Sequence, residues 1–371
     1  MHTNPDVTVV GAGVIGCAVA YECGRRGASV LVVERRGVGQ GATQASAGML
    51  APFIEAQHPG PMRALGVRSL ELYDAFVADV TGDSRAEVPY DRSGTIEVAT
   101  DAASMTALET SATRLREDGV EHRLLGPDEA REAEPHLAAG VLGGLLLPSQ
   151  GFVAAAALTG ALREAAARHG VTFRTGATAA AVKAADRGVE LEVDGAPVRT
   201  GTVVMAAGSW SGRVDLGAGG SVPVRPVRGQ LVRLVWRGTP LTRVVFAPRC
   251  YVVPWRDGVV LVGATVEEAG FDEGATVDGV AGLLDAVVAL LPAARTAGFE
   301  GVRVGLRPGT PDALPVLGRW PEAPNVVFAT GHYRNGVLLA PITARLIADL
   351  VLDGREDRLL RSFAPTRFWS A

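Results

Sequence analysis

Apolar residues first appear as an unbroken run, VTVV at 7–10. Glycines and a small-residue, apolar stretch over about 14–26 follow, and then a second apolar run at 29–33. Two continuous apolar strands around a helix read as the opening βαβ unit of a doubly wound sheet, with strands buried on both faces. The spacing of Leu65, Leu70, Leu72 and Phe76 predicts a helix, GTIEVAT an alternating strand, and 101–118 an amphipathic helix. LLGPDEAREAEPHL resembles a small capped helical segment. The alanine-rich run from Phe152 to His169 predicts a helix, followed by strands at VTFRTG, VELEVD and TVVMAAG. RGQLVRLVW, RCYVVPW and GVVLVGATV are short strands between Pro and Gly turns, as in a mixed or antiparallel sheet. A helix near 279–291, the strand NVVFATG and a glycine turn into a long helix close the pattern. The α/β elements that return late assign 1–85, 148–221 and 300–371 to one discontinuous nucleotide domain. Residues 86–147 and 222–299 are left to a substrate domain.

Composition narrows the class. At 371 residues, with 47% hydrophobic and 20% charged positions, the chain describes an ordinary globular enzyme with room for two domains. A net charge of −4, with no basic run longer than Arg25–Arg26 or Arg35–Arg36, argues against a nucleic-acid surface. The apolar stretch 7–19 is broken by glycines and too short to span a bilayer; with no signal peptide ahead of it, a cytoplasmic protein without a membrane partner is expected. Three cysteines (Cys17, Cys23, Cys250) form no CxxC, and Cys17 and Cys23 read as core thiols. Six scattered histidines form no metal-binding motif, so no metal is expected.

Gly11, Gly13 and Gly16 in VVGAGVIG follow the first strand, and Glu34 ends the second. Gly11 permits the tight turn, Gly13 the approach of a pyrophosphate, and Gly16 close packing of helix on strand; Val14 and Ile15 open the helix whose N–H groups face the phosphates. Glu34 suits a ribose diol, and Arg35 suits adenine or phosphate. The alternatives for these glycines are a structural turn or a plain NAD dehydrogenase.

The order of further blocks makes the chain resemble the FAD-dependent D-amino-acid oxidase-like family over nearly its full length. The blocks are ATQASAGML, MAAGSWS, PVRGQ, CYVVPW with GATVEEAGFD, GLRPGTPDALPVLG and ATGHYRNGVLLAP. Within the family it is similar to the glycine-oxidase branch associated with thiamine thiazole synthesis. The resemblance implies an α/β fold with an FAD-binding Rossmann-like domain of the GR2 type and a second α+β substrate domain on a mixed, largely antiparallel sheet. It also implies noncovalent FAD, since GLRP holds no cysteine, and a homo-oligomer. The implied reaction oxidises the amine of glycine, sarcosine or a small D-amino acid to the imine by hydride transfer to flavin N5, with O2 reduced to H2O2. Other oxidase specificities and a dehydrogenase remain the alternatives within the family.

Arg307, read as lying in a glycine- and proline-rich turn, has the planar fork that grips a carboxylate, and the resemblance assigns it that role. Tyr251 matches the family's substrate-contacting tyrosine; core packing is its alternative. Arg334 adds positive potential or a second carboxylate contact, or else pairs at a helix start. Met49 contacts the flavin or narrows the pocket. For the cofactor, Thr43, Ala45, Ser46, Ala47 and Gly48 are expected around the ribityl and pyrophosphate, Ala179 at the adenine, and Gly208 at a strand end. Trp210 is counted with the cofactor residues and placed near the domain boundary. Gly331, Asn335, Gly336, Val337 and Leu338 are expected at the pyrimidine edge, where a helix N-terminus favours negative charge. Arg307 and Arg334 are counted with the cofactor residues too. His332 is read as a base or as a conformational residue of its turn, and loops 52–58 and 243–250 as the parts that set pocket size.

Overall fold

The computed structural model describes residues 4–185, 188–217, 220–255 and 257–369. Six strands form the nucleotide-side sheet in the order Val316–Trp320, Ala323–Thr330, Thr202–Met205, Val7–Val10, Val30–Glu34, Thr172–Thr175. All pairs are parallel except the outermost, Val316–Trp320 against Ala323–Thr330. Alternation along these buried strands splits their side chains between two cores. Val9, Val32, Val204 and Val327 meet the helices Val14–Arg25, Pro61–Ser84, Ala155–Arg168 and Gly336–Leu352. Val10, Val33, Val203, Met205 and Phe328 face a three-stranded sheet, Ala179–Ala184, Val189–Val193 and Ala196–Thr200.

A second sheet has eight strands, in the order 298–309, 225–235, 259–263, 251–254, 244–246, 95–99, 143–147, 123–125. Only the pairing of Val244–Phe246 with Thr95–Ala99 is parallel, so the sheet is mixed and largely antiparallel. The α/β class with a Rossmann-like region and a mixed second sheet therefore holds. The strand Gly298–Gly309 pairs along its length with Arg225–Val235, so the boundary expected at residue 300 falls inside a strand of this sheet. Arg307 accordingly lies in a strand and not in a turn.

The helix expected from Phe152 begins at Ala155. Gly151–Val153 is instead a strand between Met49–Leu50 and Tyr90–Asp91, and a Cβ on Gly151 would collide with the Asp91 carbonyl. The helix Ala102–Glu117 forms where its pattern predicts, with the Asp101 carboxylate accepting from Ser104 N–H at 2.7 Å.

The helix Gly336–Leu352 contains Pro341, which has no N–H to give the Val337 carbonyl four residues back. The Tyr73 hydroxyl donates to that carbonyl at 2.6 Å, and Ser69 Oγ donates to Leu338 O at 2.6 Å while accepting from Ile342 N–H at 3.4 Å. Helix Pro61–Ser84 thus repairs the break and fixes the helix whose N-terminus faces the cavity.

Candidate active site

One elongated cavity of about 590 Å³ runs from Glu34 and Ala179 to Arg307 and Tyr251. At its first end Gly11 takes φ +105°, a conformation that favours glycine, and donates its N–H to Val33 O at 2.8 Å. A Cβ on Gly16 would strike the Gly11 carbonyl, so Gly16 supports the turn from behind and does not line the cavity. The Glu34 carboxylate accepts from Ala12 N–H and Arg36 N–H, each at 2.7 Å. Two backbone donors thereby fix its position and leave lone pairs for a ligand hydroxyl. Thr43 Oγ1 accepts from Val14 N–H at 3.1 Å, capping the first helix from a distant loop. Arg35 and Arg36 each hold their guanidinium 4.8 Å from the Trp210 ring. Trp210 is therefore part of the cavity wall.

Val14, Ile15, Ala45, Ser46, Ala47, Gly48, Met49 and Gly208 also line the cavity, as do Asn335, Gly336 and Val337 at the start of the last helix. Besides Gly16, two further expected residues do not. Gly331 (φ +74°) turns the chain, with Thr310 where a Cβ would go, and Leu338 packs towards Gly66.

At the far end, Arg307, Gly305 and Arg303 share the strand face turned to the loop 42–45; Arg303 donates to Gln44 O at 3.2 Å. Arg307 Nη1 donates to Thr265 O at 2.9 Å and Arg228 O at 3.3 Å, which aims the fork. A Cβ on Gly229, on the neighbouring strand, would occupy the guanidinium's place, and one on Gly263 would occupy the place of the Tyr251 phenol. Bare backbone on two strands thus makes the recess for both polar groups. Burial pushes the Tyr251 hydroxyl up to about 12, against the pull of Arg307, so it stays a proton donor at neutral pH. Phe246 stacks on Tyr251 at 6.3 Å and 15°.

Arg334 is 43% exposed and stands 3.2 Å from Glu55 Oε2, so the helix-start ion pair weighed for it does form, inside the cavity. His332 is buried, shares a hydrogen bond with Thr343 Oγ1 at 3.1 Å, and is depressed by burial to about 3. It is neutral and held within the fold, in keeping with the conformational reading. Cys250 lines the cavity but burial raises its thiol to about 12, which makes it inert as a nucleophile. No cluster of metal-ligating side chains occurs among the described residues, and none of their helices is long and apolar enough to cross a membrane.

The family model DAO, FAD dependent oxidoreductase, matches residues 6–350. The chain belongs to this family. It is 35% identical to the glycine oxidase of Geobacillus kaustophilus (strain HTA426), covering 93% of this chain and 92% of that protein. It is 36% identical to the bifunctional protein ThiO/ThiG of Synechocystis sp. (strain ATCC 27184 / PCC 6803 / Kazusa) over 99% of its own length. The chain spans only about half (55%) of that relative. The crystal structure of glycine oxidase from Geobacillus kaustophilus superposes with a TM-score of 0.95 at 34% identity, covering 98% of this chain and 99% of that one. Iminodiacetate oxidase (IdaA) from Chelativorans sp. BNC1 superposes at 0.89 and 27%, covering 97% and 98%.

The cavity fits the family's cofactor. It has the glycine turn for a dinucleotide, an acid positioned by two amides, and a helix N-terminus at each of two places along it. Glu34, Ala179 and the turn 11–15 would hold the ADP half, loop 42–48 the linker, and Asn335–Val337 the ring. The sequence reading missed Glu55, as well as Gly229, Gly263 and the Thr265 carbonyl that shape the recess. An acid in the otherwise small and apolar APFIEA segment was the available signal for Glu55.

Proposed function

We propose that this member of the DAO family is an FAD-dependent amino-acid oxidase acting on glycine and small amino acids such as sarcosine and small D-amino acids. O2 is the electron acceptor and H2O2 a product. The observation that carries the reading is the pairing of Arg307 and Tyr251 in one recess opening on the cavity. The Arg307 fork and the Tyr251 hydroxyl bind the substrate carboxylate and so orient its Cα. Met49 and Phe246 narrow the space beyond, which favours small side chains and excludes water from the amine. The neutral amine's lone pair assists removal of the Cα hydrogen, and no side-chain base is needed at carbon. Bound FAD supplies the two-electron acceptor that the side chains lack. Backbone N–H groups at Gly336 and Val337, with the helix dipole behind them, favour negative charge at that end of the cavity. Similarity to the ThiO/ThiG proteins supports a role in thiamine thiazole synthesis.

Purified yellow protein should release peroxide with glycine and sarcosine ahead of D-alanine, D-proline and larger D-amino acids. Bleaching of the flavin without peroxide would point to another electron acceptor. Arg307→Ala removes a charge-assisted grip and should raise KM by about 10²-fold with flavin absorbance retained. An unchanged KM would refute the carboxylate role.

A further inference from the structure

Glu55 is the acid at the substrate end of the cavity, and its carboxylate is unusually placed. Its side chain is 10% exposed, and Oε2, though 3.2 Å from Arg334 Nε, has no hydrogen-bond partner among the described residues. Three guanidiniums line this end: Arg307, Arg334, and Arg249 on the rim. Tyr251 and His332 are uncharged there. Burial pushes the Glu55 carboxyl up, and Arg334 and then Arg307 offset only part of that rise. A buried carboxylate without its full set of donors is costly to keep, so its retention beside a ligand site calls for a role there.

The carboxylate has little room to withdraw. Glu55 ends the short helix Pro52–Glu55, in which Ile54 is buried and Phe53 N–H donates to Gln150 Oε1 at 3.1 Å. The buried Arg63 lies 5.1 Å from the Phe53 ring and pairs with Asp118 at 3.0 Å, anchoring the same helix from outside the cavity.

We propose that Glu55 is a specificity-determining residue that limits this site to substrates with one anionic group. It occupies the charge of Arg334 and repels a second carboxylate, leaving Arg307 and Tyr251 for the first. The inference rests on the carboxylate-binding reading of Arg307. A monocarboxylic amino acid meets the Arg307 fork and its hydroxyl partner. A dicarboxylate brings its second anion to Arg334, where Glu55 already stands in a medium that screens poorly. Without Glu55, the same end would present three uncompensated cations and would favour dianions.

Sarcosine and iminodiacetate both carry an N-substituted glycine skeleton, and the second adds a carboxylate. Holoenzyme and its Glu55→Gln variant are compared on both by kcat/KM. Anaerobic Kd values for glycolate and malonate are read in parallel from the flavin spectrum. Wild type should favour sarcosine and glycolate. Glu55→Gln should move both ratios at least about tenfold towards the dianion. Glu55→Asp should keep the wild-type preference, and Arg334→Leu should strengthen it. Ratios unchanged in Glu55→Gln, or an equal loss for both charge classes, would overturn the proposal. If no amino acid is oxidised, the function proposed above fails, while the glycolate-to-malonate ratio still decides the role of Glu55. Absence of binding by either anion would overturn both.

Discussion

His332 shows how burial alone decides a residue's chemistry. With one hydrogen bond to Thr343 and its ring depressed to about 3, it stays neutral in the folded chain at pH values where the unfolded chain protonates it. The sign follows directly. Below about 6.5 the unfolded state binds the proton and the folded state does not, so stability falls as the pH drops from there until the ring titrates near 3. Each unit of that window costs about 1.4 kcal/mol. Denaturant titrations of wild type and His332→Gln between pH 7 and 4 should show a steeper decline for wild type; parallel curves would refute the assignment. The sequence placed His332 at a functional turn, but it could not reveal which neighbours bury it. The surroundings of Glu55 were hidden for the same reason, since they come from Arg307 and Arg334, some 250 residues or more away in the chain, although an acid in APFIEA was a signal of its presence. Arg307 and Tyr251, by contrast, were legible as residue types suited to a carboxylate, and the fold brings both into one recess.

Between elements, the recess depends on what neighbouring strands lack. Gly229 lies on Arg225–Val235, beside the strand that carries Arg307, and its missing side chain is the space the guanidinium fills. A methyl group there would meet the end of a flexible side chain and not backbone, so the chain can fold by moving Arg307. Gly229→Ala should therefore raise the substrate KM about tenfold or more, with a melting temperature within a few degrees of wild type and flavin binding kept. A large drop in melting temperature with KM unchanged would show that the glycine serves packing only. Local pattern predicted most of these elements because period and turn chemistry are local. It failed at Gly151–Val153, where pairing with two distant strands overrides the helical propensity of the following alanines. It also failed at Arg307, where glycine and proline suggested a turn inside a long strand. Tyr73 and Ser69, which repair the helix at Pro341, had no local signature at all.

At the scale of the whole molecule, the two large sheets meet around the cavity, and both supply its walls. The first βαβ unit was readable because its strands, helix and acid follow one another in sequence. The order of the eight-stranded sheet was not, since a pairing such as Val244–Phe246 with Thr95–Ala99 joins segments far apart in the chain. A ligand lying along the cavity binds the folded state and not the unfolded one. Free FAD at a thousandfold excess over its Kd is thus worth about 4 kcal/mol of stability. Stripping the cofactor should lower the melting temperature by several degrees, and adding it back should restore it; equal melting curves would argue against binding along this wall. The same threading has a consequence during synthesis. The central strand Val7–Val10 emerges first, yet its sheet needs Ala323–Thr330, and the cavity needs the helix that begins at Gly336. At about 5–20 residues per second, a ribosome takes roughly 20–70 s to pass from that first strand to residue 352. Through that interval the glycine turn has no complete site to serve, and a nascent chain stalled before the last helix lacks the wall at which its cofactor could add stability.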